Sequence, residues 1–513
     1  MGSALAVPAP PGLRKERVVK AWAALAALLA IGAGLAGFNP LLLAIPLAVG
    51  IVFTAVQSWL LQWRVLLAFL FLVILLVPMK RYALLPGALP FKIEPYRLLI
   101  AGITVAWLLS ILVEPRMRIR KTGLSVPLLG FFAATLMSEA VNVGRIGYLG
   151  VGSEVVKGIT FLTSFVVVVY VVSSLVTRRR DLEMLVRVLV VGGTFVALAA
   201  IVESRTGINI FDKLHKVFPP LKLEQPVVLN ASDEGGRGGR LRVFASAEHP
   251  IALSAALAML VPLAIYLAKR DGRWQWWLAA GAMAVAVVST VSRTGIVMLM
   301  AIFVVYLCVQ PAATRRALPL LLPMLIAMHV AVPGAIGGLK SSFFPQGGLV
   351  AQQQYGAGTR GSGRLADLGP GLAEWRNRPW FGQGYSTRIT DIDNPHYNAP
   401  ILDNQWLGLL LEIGIVGAGL LMWLFCRVIR RLSRFARRDP TAHGWLLAGL
   451  AASLTGYVVG MFTYDAFNFT QVTFLAFILV GLAVAALSPD PVRDPHDAEA
   501  AAPARVAVPV PVR

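Results

Sequence analysis

Two arginines stand at boundaries between polar and apolar sequence, where they could bind a phosphate group. Arg242 closes a segment rich in glycine and arginine, and the chain turns apolar a few residues later at His249-Pro250. Arg293 lies in a Ser-Arg-Thr-Gly sequence between two apolar runs with scarcely any loop between them. A guanidinium forms bidentate hydrogen bonds to phosphate oxygens, and an arginine in a bilayer is costly unless it faces a cavity or a partner. Both arginines are candidates for binding an anion, and the alternative is a side chain that reaches lipid headgroups.

A second group of polar residues precedes a later apolar run and could activate a hydroxyl group. His396 offers an imidazole and Asp403 a carboxylate, and either can act as a general base. Each has a simpler alternative, because the histidine could be a surface residue and a carboxylate in the first turn of a helix is stabilised by the helix dipole. Four further residues could contact a substrate less directly: Arg240, Arg364, Arg388 and Asn404.

Motifs for nucleotide or metal chemistry are absent from the sequence. There is no P-loop, no dinucleotide-binding fingerprint and no His-Glu-x-x-His motif, and no acidic cluster in the polar connections suits Mg²⁺. The two cysteines, Cys308 and Cys426, form no Cys-x-x-Cys pair. We therefore expect chemistry that uses neither a cofactor nor a metal ion.

The elements that must position these residues are membrane helices. The chain of 513 residues is 57% hydrophobic and 14% charged, with a mean hydropathy of +0.71, whereas an average soluble domain is roughly 45–50% apolar and about 25% charged. This composition excludes a water-soluble enzyme, a disordered chain and a disulfide-rich secreted module. Apolar runs of bilayer-crossing length predict an all-α polytopic membrane protein with about 12–14 transmembrane helices. The approximate cores lie at 20–37, 41–60, 64–79, 97–113, 124–139, 158–176, 184–203, 249–268, 275–291, 295–310, 317–335, 401–424, 444–463 and 467–487.

Basic residues in the connections predict the orientation of these helices. One alternating set of connections, from residues 14–20 to residues 427–438, holds about 27 of the 47 lysines and arginines. The positive-inside rule then puts both termini in the cytoplasm and accounts for most of the net charge of +21, so that nucleic-acid binding is not needed to explain it. The first apolar run is longer than the hydrophobic region of a signal peptide, so we expect an uncleaved first helix.

Two long connections on the opposite side divide the chain into seven parts. Loops of this length without secondary structure are uncommon and are often functional. Because the candidate residues lie in these loops or at the helix ends beside them, we expect the chemistry on the outer face. The parts are a cytoplasmic tail (1–19), N-terminal transmembrane helices (20–203), an outer-face loop (204–248), central transmembrane helices (249–335), a large outer-face loop with a short helix (336–400), C-terminal transmembrane helices (401–487) and a disordered cytoplasmic tail (488–513).

Four motifs occur together in a particular order and spacing. They are Arg242 with the Phe-Ala-Ser-Ala-Glu-His-Pro at 244–250, Ser-Arg-Thr-Gly at 292–295, Arg-Pro-Trp-Phe-Gly-Gln-Gly-Tyr at 378–385, and Leu-Asp-Asn-Gln-Trp-Leu at 402–407 with Glu-Ile-Gly-Ile-Val-Gly at 412–417. Taken together they resemble the O-antigen ligase and polysaccharide polymerase superfamily of bacterial membrane proteins. Each motif is loose by itself, and their order carries the resemblance, which covers roughly residues 200–425.

The resemblance implies a glycosyltransferase of the GT-C type in the bacterial inner membrane, with its active site on the outer face. Such enzymes take glycan from an undecaprenyl-diphosphate carrier and transfer it to an acceptor sugar hydroxyl without a metal ion. By the match, Arg242 and Arg293 are the residues that would bind the diphosphate. With no metal present, cationic side chains must stabilise the charge that develops on the leaving group. The implied partners are the lipid-linked donor, a glycan or glycolipid acceptor, the bilayer and polysaccharide-assembly proteins such as a chain-length regulator.

One departure from the family pattern affects the expected function. Ligases of this family usually carry a His-Asn pair where this chain has Asp403-Asn404. Asp403 could take the place of the base, or His396, seven residues earlier, could reach the same cavity. The departure favours a surface-polysaccharide or exopolysaccharide polymerase over a lipopolysaccharide ligase. A transporter or flippase of lipid-linked oligosaccharide is the alternative from another functional class.

Overall fold

A computed structural model describes residues 62–84, 94–113, 119–120, 122–223, 242–320, 326, 367–390 and 394–488. These residues are mostly helical, which confirms the prediction of an all-α polytopic membrane protein. Two short strands, β1 (Tyr82–Leu84) and β2 (Leu221–Leu223), pair in antiparallel register with Ala83 opposite Lys222. The predicted spans at 20–37 and 41–60, and nearly all of 317–335, lie outside the described residues.

Fourteen α-helices are labelled here in chain order, apart from single turns at Ile210–Lys213, Leu214–Val217 and Leu318–Leu320. Their bounds are α1 Trp63–Leu76, α2 Pro95–Val113, α3 Ser125–Val141, α4 Val143–Leu149, α5 Gly152–Leu175, α6 Arg179–Thr206, α7 Pro250–Asp271, α8 Trp274–Ser289, α9 Arg293–Val309, α10 Pro311–Ala317, α11 Leu368–Trp375, α12 Gln405–Arg438, α13 Ala442–Gly460 and α14 Thr470–Leu487.

Within the described ranges, seven helices are long and apolar enough to cross a membrane, namely α2, α5, α6, α7, α12, α13 and α14. Helices α3 and α4 are bent by 65° at a break and give an eighth span if the pair is counted as one. Three further apolar helices, α1, α8 and α9, are shorter. The total of about 12–14 transmembrane helices stays a prediction, because parts of the chain lie outside the described ranges.

The chain divides into two compact units, Met1–Phe69 and Leu70–Arg513. Of the first unit the structure describes residues 62–69, of which 63–69 form the beginning of α1. All the contacts discussed below lie within the second unit.

The centre of the second unit is formed by α7, α13 and α14, which are buried along most of their lengths. Small residues on these helices let neighbouring backbones approach closely, as is typical of helix packing in membranes. The Ser453 hydroxyl on α13 donates to the Met259 carbonyl on α7 at 2.6 Å. The Tyr306 hydroxyl on α9 donates to the carbonyl of Pro262 at 3.2 Å. These hydrogen bonds satisfy polar groups inside the bundle, which is required where water is absent.

Basic side chains collect at one end of the bundle, which is called the basic end below. There α6 and α8 begin and α7 ends, and Arg270 forms an ion pair with Glu183 at 2.6 Å. Arg187 pairs with Asp271 at 3.3 Å. The run of arginines that closes α12 lies at the same end, because Asp439, which follows it, is within electrostatic reach of Arg179. The opposite end, where α7, α9, α12 and α14 begin, is called the site end.

Helix α12 is broken near the site end, and a segment from the preceding loop is inserted into the break. Gly414 has φ 67° and ψ −172°, a conformation that is essentially restricted to glycine. The amides of Gln383 and Gly384 donate to the carbonyls of Leu411 and Glu412 at 2.9 and 3.0 Å. In return, the carbonyls of Pro379 and Trp380 accept from the amides of Ile415 and Val416 at 2.9 and 3.3 Å. The inserted segment, residues 379–385, thus supplies partners for two carbonyls before the break and two amides after it, as the absence of water inside a membrane requires.

We expect Gly414→Ala to destabilise the protein. A Cβ at this position would overlap the Trp380 carbonyl oxygen, in a backbone conformation that costs about 1–3 kcal/mol for a residue other than glycine. The matched control is Gly419→Ala in the same helix, where a Cβ meets nothing within 4 Å and the higher helix propensity of alanine is favourable. Thermal unfolding in detergent should show a lower Tm for Gly414→Ala and an unchanged or higher Tm for Gly419→Ala. Equal Tm values for the two variants would contradict this account of the break.

Candidate functional site

The loop between α13 and α14, residues 461–469, is the place where the functional segments of the site end meet. The amide of Gln405 donates to the carbonyls of Met461 and Tyr464 at 2.8 and 3.1 Å. The Gln405 side-chain oxygen accepts from the amide of Phe467 at 2.6 Å. One glutamine at the start of α12 thus fixes both halves of the loop, and the residues just before it, Asp403 and Asn404, are held beside the loop as a result.

Asp465 in this loop lies close enough to Asp403 for the two carboxylates to interact electrostatically. Desolvation within the bundle, together with the neighbouring charge of Asp403, raises the pKa of Asp465 to about 6, while Lys80 opposes the shift. Two carboxylates in one site commonly have separated pKa values, because both cannot ionise freely at close range. A pair of this kind can hold and release a proton close to neutral pH.

Lys80 connects the loop to the segment that leads into α7. Its ammonium group donates to the carbonyl of Asn468 at 2.7 Å and forms an ion pair with the Glu248 carboxylate at 2.8 Å. The backbone amide of Lys80 donates to the carboxylate of Glu94 at 3.0 Å. Burial raises the pKa of Glu248, and the charge of Lys80 opposes that effect. Lys80 therefore interacts with three carboxylates, of which Glu248 pairs with its ammonium group, Glu94 accepts from its backbone amide and Asp465 is within electrostatic reach.

Arg242 is buried at the start of a segment that packs tightly against the end of α6. Glu203 in the last turn of α6 accepts from the amides of Phe244 and Ala245 at 3.4 and 2.9 Å. The guanidinium of Arg81, also buried, donates to the Ala245 carbonyl at 3.2 Å and lies 5.0 Å from the centroid of the Phe244 ring. These contacts fix the segment that follows Arg242, which also contains Glu248.

Arg293 is the first residue of α9, and the turn that contains it is anchored to the loop between α13 and α14. The hydroxyl of Thr463 donates to the hydroxyl of Thr294 at 3.0 Å. Two residues before Arg293, Val291 has φ 50°, which is a strained conformation for a β-branched residue. The structure therefore brings the turn that carries Arg293 to the same loop as Asp403 and Asp465.

Backbone strain is concentrated at the site end. Among the described residues, every residue other than glycine with positive φ lies there: Lys80, Ala245, Val291 and Ser386. Such conformations cost of order 1–3 kcal/mol each and tend to occur at functional sites, where the surrounding structure holds them.

The remaining residues that the sequence predicts for the site have other contacts. His396 lies beside Gly150 and within electrostatic reach of Glu154, at the turn between α4 and α5. Arg388 donates to Glu374 at 2.8 Å. Asn404 caps α12, because its side chain accepts from the amide of Leu407 at 3.2 Å. Arg240 and Arg364 lie outside the described residues.

Two residues that the sequence did not single out join the site, Lys80 and Asp465. Lys80 lies in the short connection after α1, where a basic residue is unremarkable. Asp465 stands alone between two apolar runs, and an isolated acidic residue beside a predicted membrane span is the signal that could have identified it. Among the residues that the structure describes, no three His, Cys, Asp or Glu side chains form a group suited to a metal ion.

The fold and the site together define a multi-pass membrane protein with a polar, charged site at one end of its helices. Residues 278–423 match the family model described as O-antigen ligase. This match confirms the predicted resemblance to the O-antigen ligase and polymerase superfamily, whose members are glycosyl-transfer enzymes. The matched region includes Arg293, Arg388 and Asp403, whereas Arg242 and Asp465 lie outside it. No curated protein matches the chain in sequence.

Proposed function

We propose that this protein is a glycosyltransferase that takes glycan from an undecaprenyl-diphosphate carrier and transfers it to an acceptor sugar hydroxyl. The observation that carries the proposal is the meeting of three segments at the loop between α13 and α14. The segments are the turn before α9, the start of α12 and the connection after α1. They bring a phosphate-binding residue type, Arg293, and a carboxylate pair, Asp403 and Asp465, to one loop within a membrane protein.

In this mechanism Arg293 and Arg242 bind the diphosphate of the donor. The acceptor oxygen attacks the anomeric carbon of the donor sugar, and the bond from that carbon to the diphosphate oxygen breaks. The electron pair of that bond leaves with the diphosphate, whose growing negative charge the two guanidinium groups stabilise. The acceptor proton passes to Asp403, with Asp465 beside it as the second carboxylate. The contacts of His396 with the turn between α4 and α5 favour Asp403 over His396 as the base.

We place the reaction at the outer face of the bacterial inner membrane, with both termini in the cytoplasm. The grouping of arginines from α6, α7 and α12 at the basic end supports this orientation, since basic residues are enriched on the cytoplasmic side. The GT-C relationship, the lipid-linked donor, the glycan or glycolipid acceptor and a chain-length regulator belong to the same proposal.

Transfer to a growing polysaccharide is the favoured reaction, and transfer to lipopolysaccharide is the second candidate. The pair Asp403-Asn404 at the start of α12 favours a polymerase, whereas the family match, described as O-antigen ligase, favours a ligase. Deleting the gene in its native host separates them on a gel of surface and lipid-linked glycans. A polymerase predicts loss of the long ladder with single repeat units left behind, and a ligase predicts full-length polymer that accumulates on its carrier. An unchanged pattern would contradict both.

Removal of divalent metal ions is expected to leave transfer unchanged. In the proposed reaction the arginines, rather than a metal ion, stabilise the diphosphate. The measurement is the transfer rate of the purified protein with a lipid-linked donor, with and without EDTA. A metal-dependent glycosyltransferase assayed under the same conditions provides the control, and strong inhibition by EDTA would contradict the metal-independent mechanism.

A further inference from the structure

A second set of arginines surrounds the segment inserted into α12. Arg378 and Arg388 flank this segment on its two sides. Arg378 donates to the side-chain oxygen of Asn142, which lies at the 65° bend between α3 and α4. Arg388 forms its ion pair with Glu374, whose same oxygen also accepts from Gln383 at 2.8 Å. The inserted segment is therefore tied to the bend between α3 and α4 through Arg378 and to α11 through Arg388.

Arg145 adds a third positive charge to this group. It follows Asn142 by three residues and lies within electrostatic reach of both Arg378 and Arg388. Its guanidinium makes no hydrogen bond to any residue that the structure describes, and its Nε atom is buried. Of the carboxylates described, Glu374 is the one in direct contact with the group, while Glu412 lies within electrostatic reach of Arg388. Three guanidinium groups with one directly bound carboxylate give this region an excess of positive charge, which an anion bound among them would offset.

Exposed aromatic side chains indicate the depth of this group in the membrane. Trp380 in the inserted segment is 67% exposed, and Tyr148, one turn beyond Arg145 on α4, is 89% exposed. Tryptophan and tyrosine are enriched at the level of the lipid headgroups. The arginines thus lie where the acidic group of a membrane-anchored ligand would be found.

The arginine group adjoins the candidate site. Tyr385, the last residue of the inserted segment, interacts electrostatically with both Glu412 and Asp465. The inserted segment thus borders both Asp465 and the arginines that flank it in sequence, which is the arrangement expected of an acceptor site beside the reacting groups.

We propose that Arg145, Arg378 and Arg388 form a second oxyanion site, which binds the acidic group of the acceptor chain. Guanidinium groups bind phosphate and carboxylate oxygens in the same bidentate manner, so the ligand is the diphosphate of a second lipid-linked glycan or the carboxylate of an acidic sugar. The acceptor role rests on the proposed transferase function, whereas the binding site itself does not.

Binding is measured without turnover on the full-length protein in nanodiscs. The first probe is undecaprenyl diphosphate, whose copies bound per chain are counted by native mass spectrometry. The second probe is methyl glucuronide, measured by titration calorimetry.

We expect the wild type to bind two lipid diphosphates. The double variant Arg145→Gln/Arg388→Gln should bind one, and the double variant Arg242→Ala/Arg293→Ala should also bind one. Arg145→Gln alone, which breaks no hydrogen bond to a described residue, should weaken the second site about 10- to 100-fold. The matched control is Arg376→Gln, an exposed arginine on the same loop.

Each outcome decides the proposal. If the wild type binds one lipid diphosphate, but glucuronide binding is lost in Arg145→Gln/Arg388→Gln and kept in Arg376→Gln, the site exists and takes a carboxylate. If binding of neither probe changes in Arg145→Gln and Arg145→Gln/Arg388→Gln, the second site is excluded. If Arg242→Ala/Arg293→Ala still binds two lipid diphosphates while Arg145→Gln/Arg388→Gln binds one, the second site stands and the donor site of the proposed function fails.

Discussion

Arg293→Ala is expected to reduce glycan transfer by about 10²–10³-fold, and Arg242→Ala by a similar factor. Each guanidinium is proposed to stabilise charge that develops on the leaving diphosphate, and removal of one such donor costs about 3–4 kcal/mol in the transition state. Arg293→Lys should also be poor, because a lysine ammonium cannot form two parallel hydrogen bonds to one phosphate. The measurement is the transfer rate with a lipid-linked donor in proteoliposomes, where loss should appear in kcat as well as in KM.

The matched control for these variants is Arg273→Ala. Arg273 is exposed and immediately precedes α8, at the opposite end of the helix that leads to Arg293. Its loss removes one arginine from the same region of the chain without touching the site end, so transfer should be unchanged. Normal product from Arg293→Ala and from Arg242→Ala, at wild-type expression, would remove the diphosphate-binding role from both residues.

Asp403→Asn is expected to reduce kcat by about 10²–10⁴-fold, the usual contribution of a general base. Asp465→Asn should cost about 10-fold or more, because the proposed base would lose the neighbouring carboxylate that shares its proton. Asp439→Asn, at the far end of the same helix as Asp403, is the control and should keep wild-type activity. Full activity of Asp403→Asn would move the role of base to another group.

The pH dependence separates a role in proton transfer from a merely structural one. Since the pKa of Asp465 is raised to about 6 in the folded protein, the wild-type rate should rise with pH through about 6 as this carboxylate ionises. Asparagine cannot ionise, so Asp465→Asn should lose this dependence.

The stability of the folded protein should change with pH in the opposite sense to the rate. A raised pKa means that stability falls as pH rises from about 4 through about 6, so Asp465→Asn should have the higher Tm above pH 6 and little advantage near pH 4. A wild-type rate that is flat between pH 5 and 7 would contradict the proton-transfer role.

Composition and periodicity were sufficient to predict the fold class, because the bilayer sets both the apolar character and the length of each span. The predicted core at 249–268, for example, corresponds to α7 at Pro250–Asp271, and the core at 444–463 corresponds to α13 at Ala442–Gly460. The long helix α12 differs more, since its arginine-rich end continues as helix to Arg438 although it is too basic to count as membrane span. Hydropathy measures burial in lipid and has no information on where a helix ends outside it.

Residue types and spacing also identified Arg242, Arg293 and Asp403 as candidates, since a guanidinium or carboxylate beside a membrane span is costly unless it has a partner or faces a polar cavity. Only the tertiary structure brought Lys80 and Asp465 to the same place, through contacts between residues as far apart in sequence as Lys80 and Asn468. The sequence also could not predict the break in α12. At the break, the amides of residues 383 and 384 donate to the carbonyls that the amides of residues 415 and 416 would bind in a continuous helix. Local sequence fixes which groups require hydrogen-bond or charge partners, whereas the packing of distant helices decides which partners they receive.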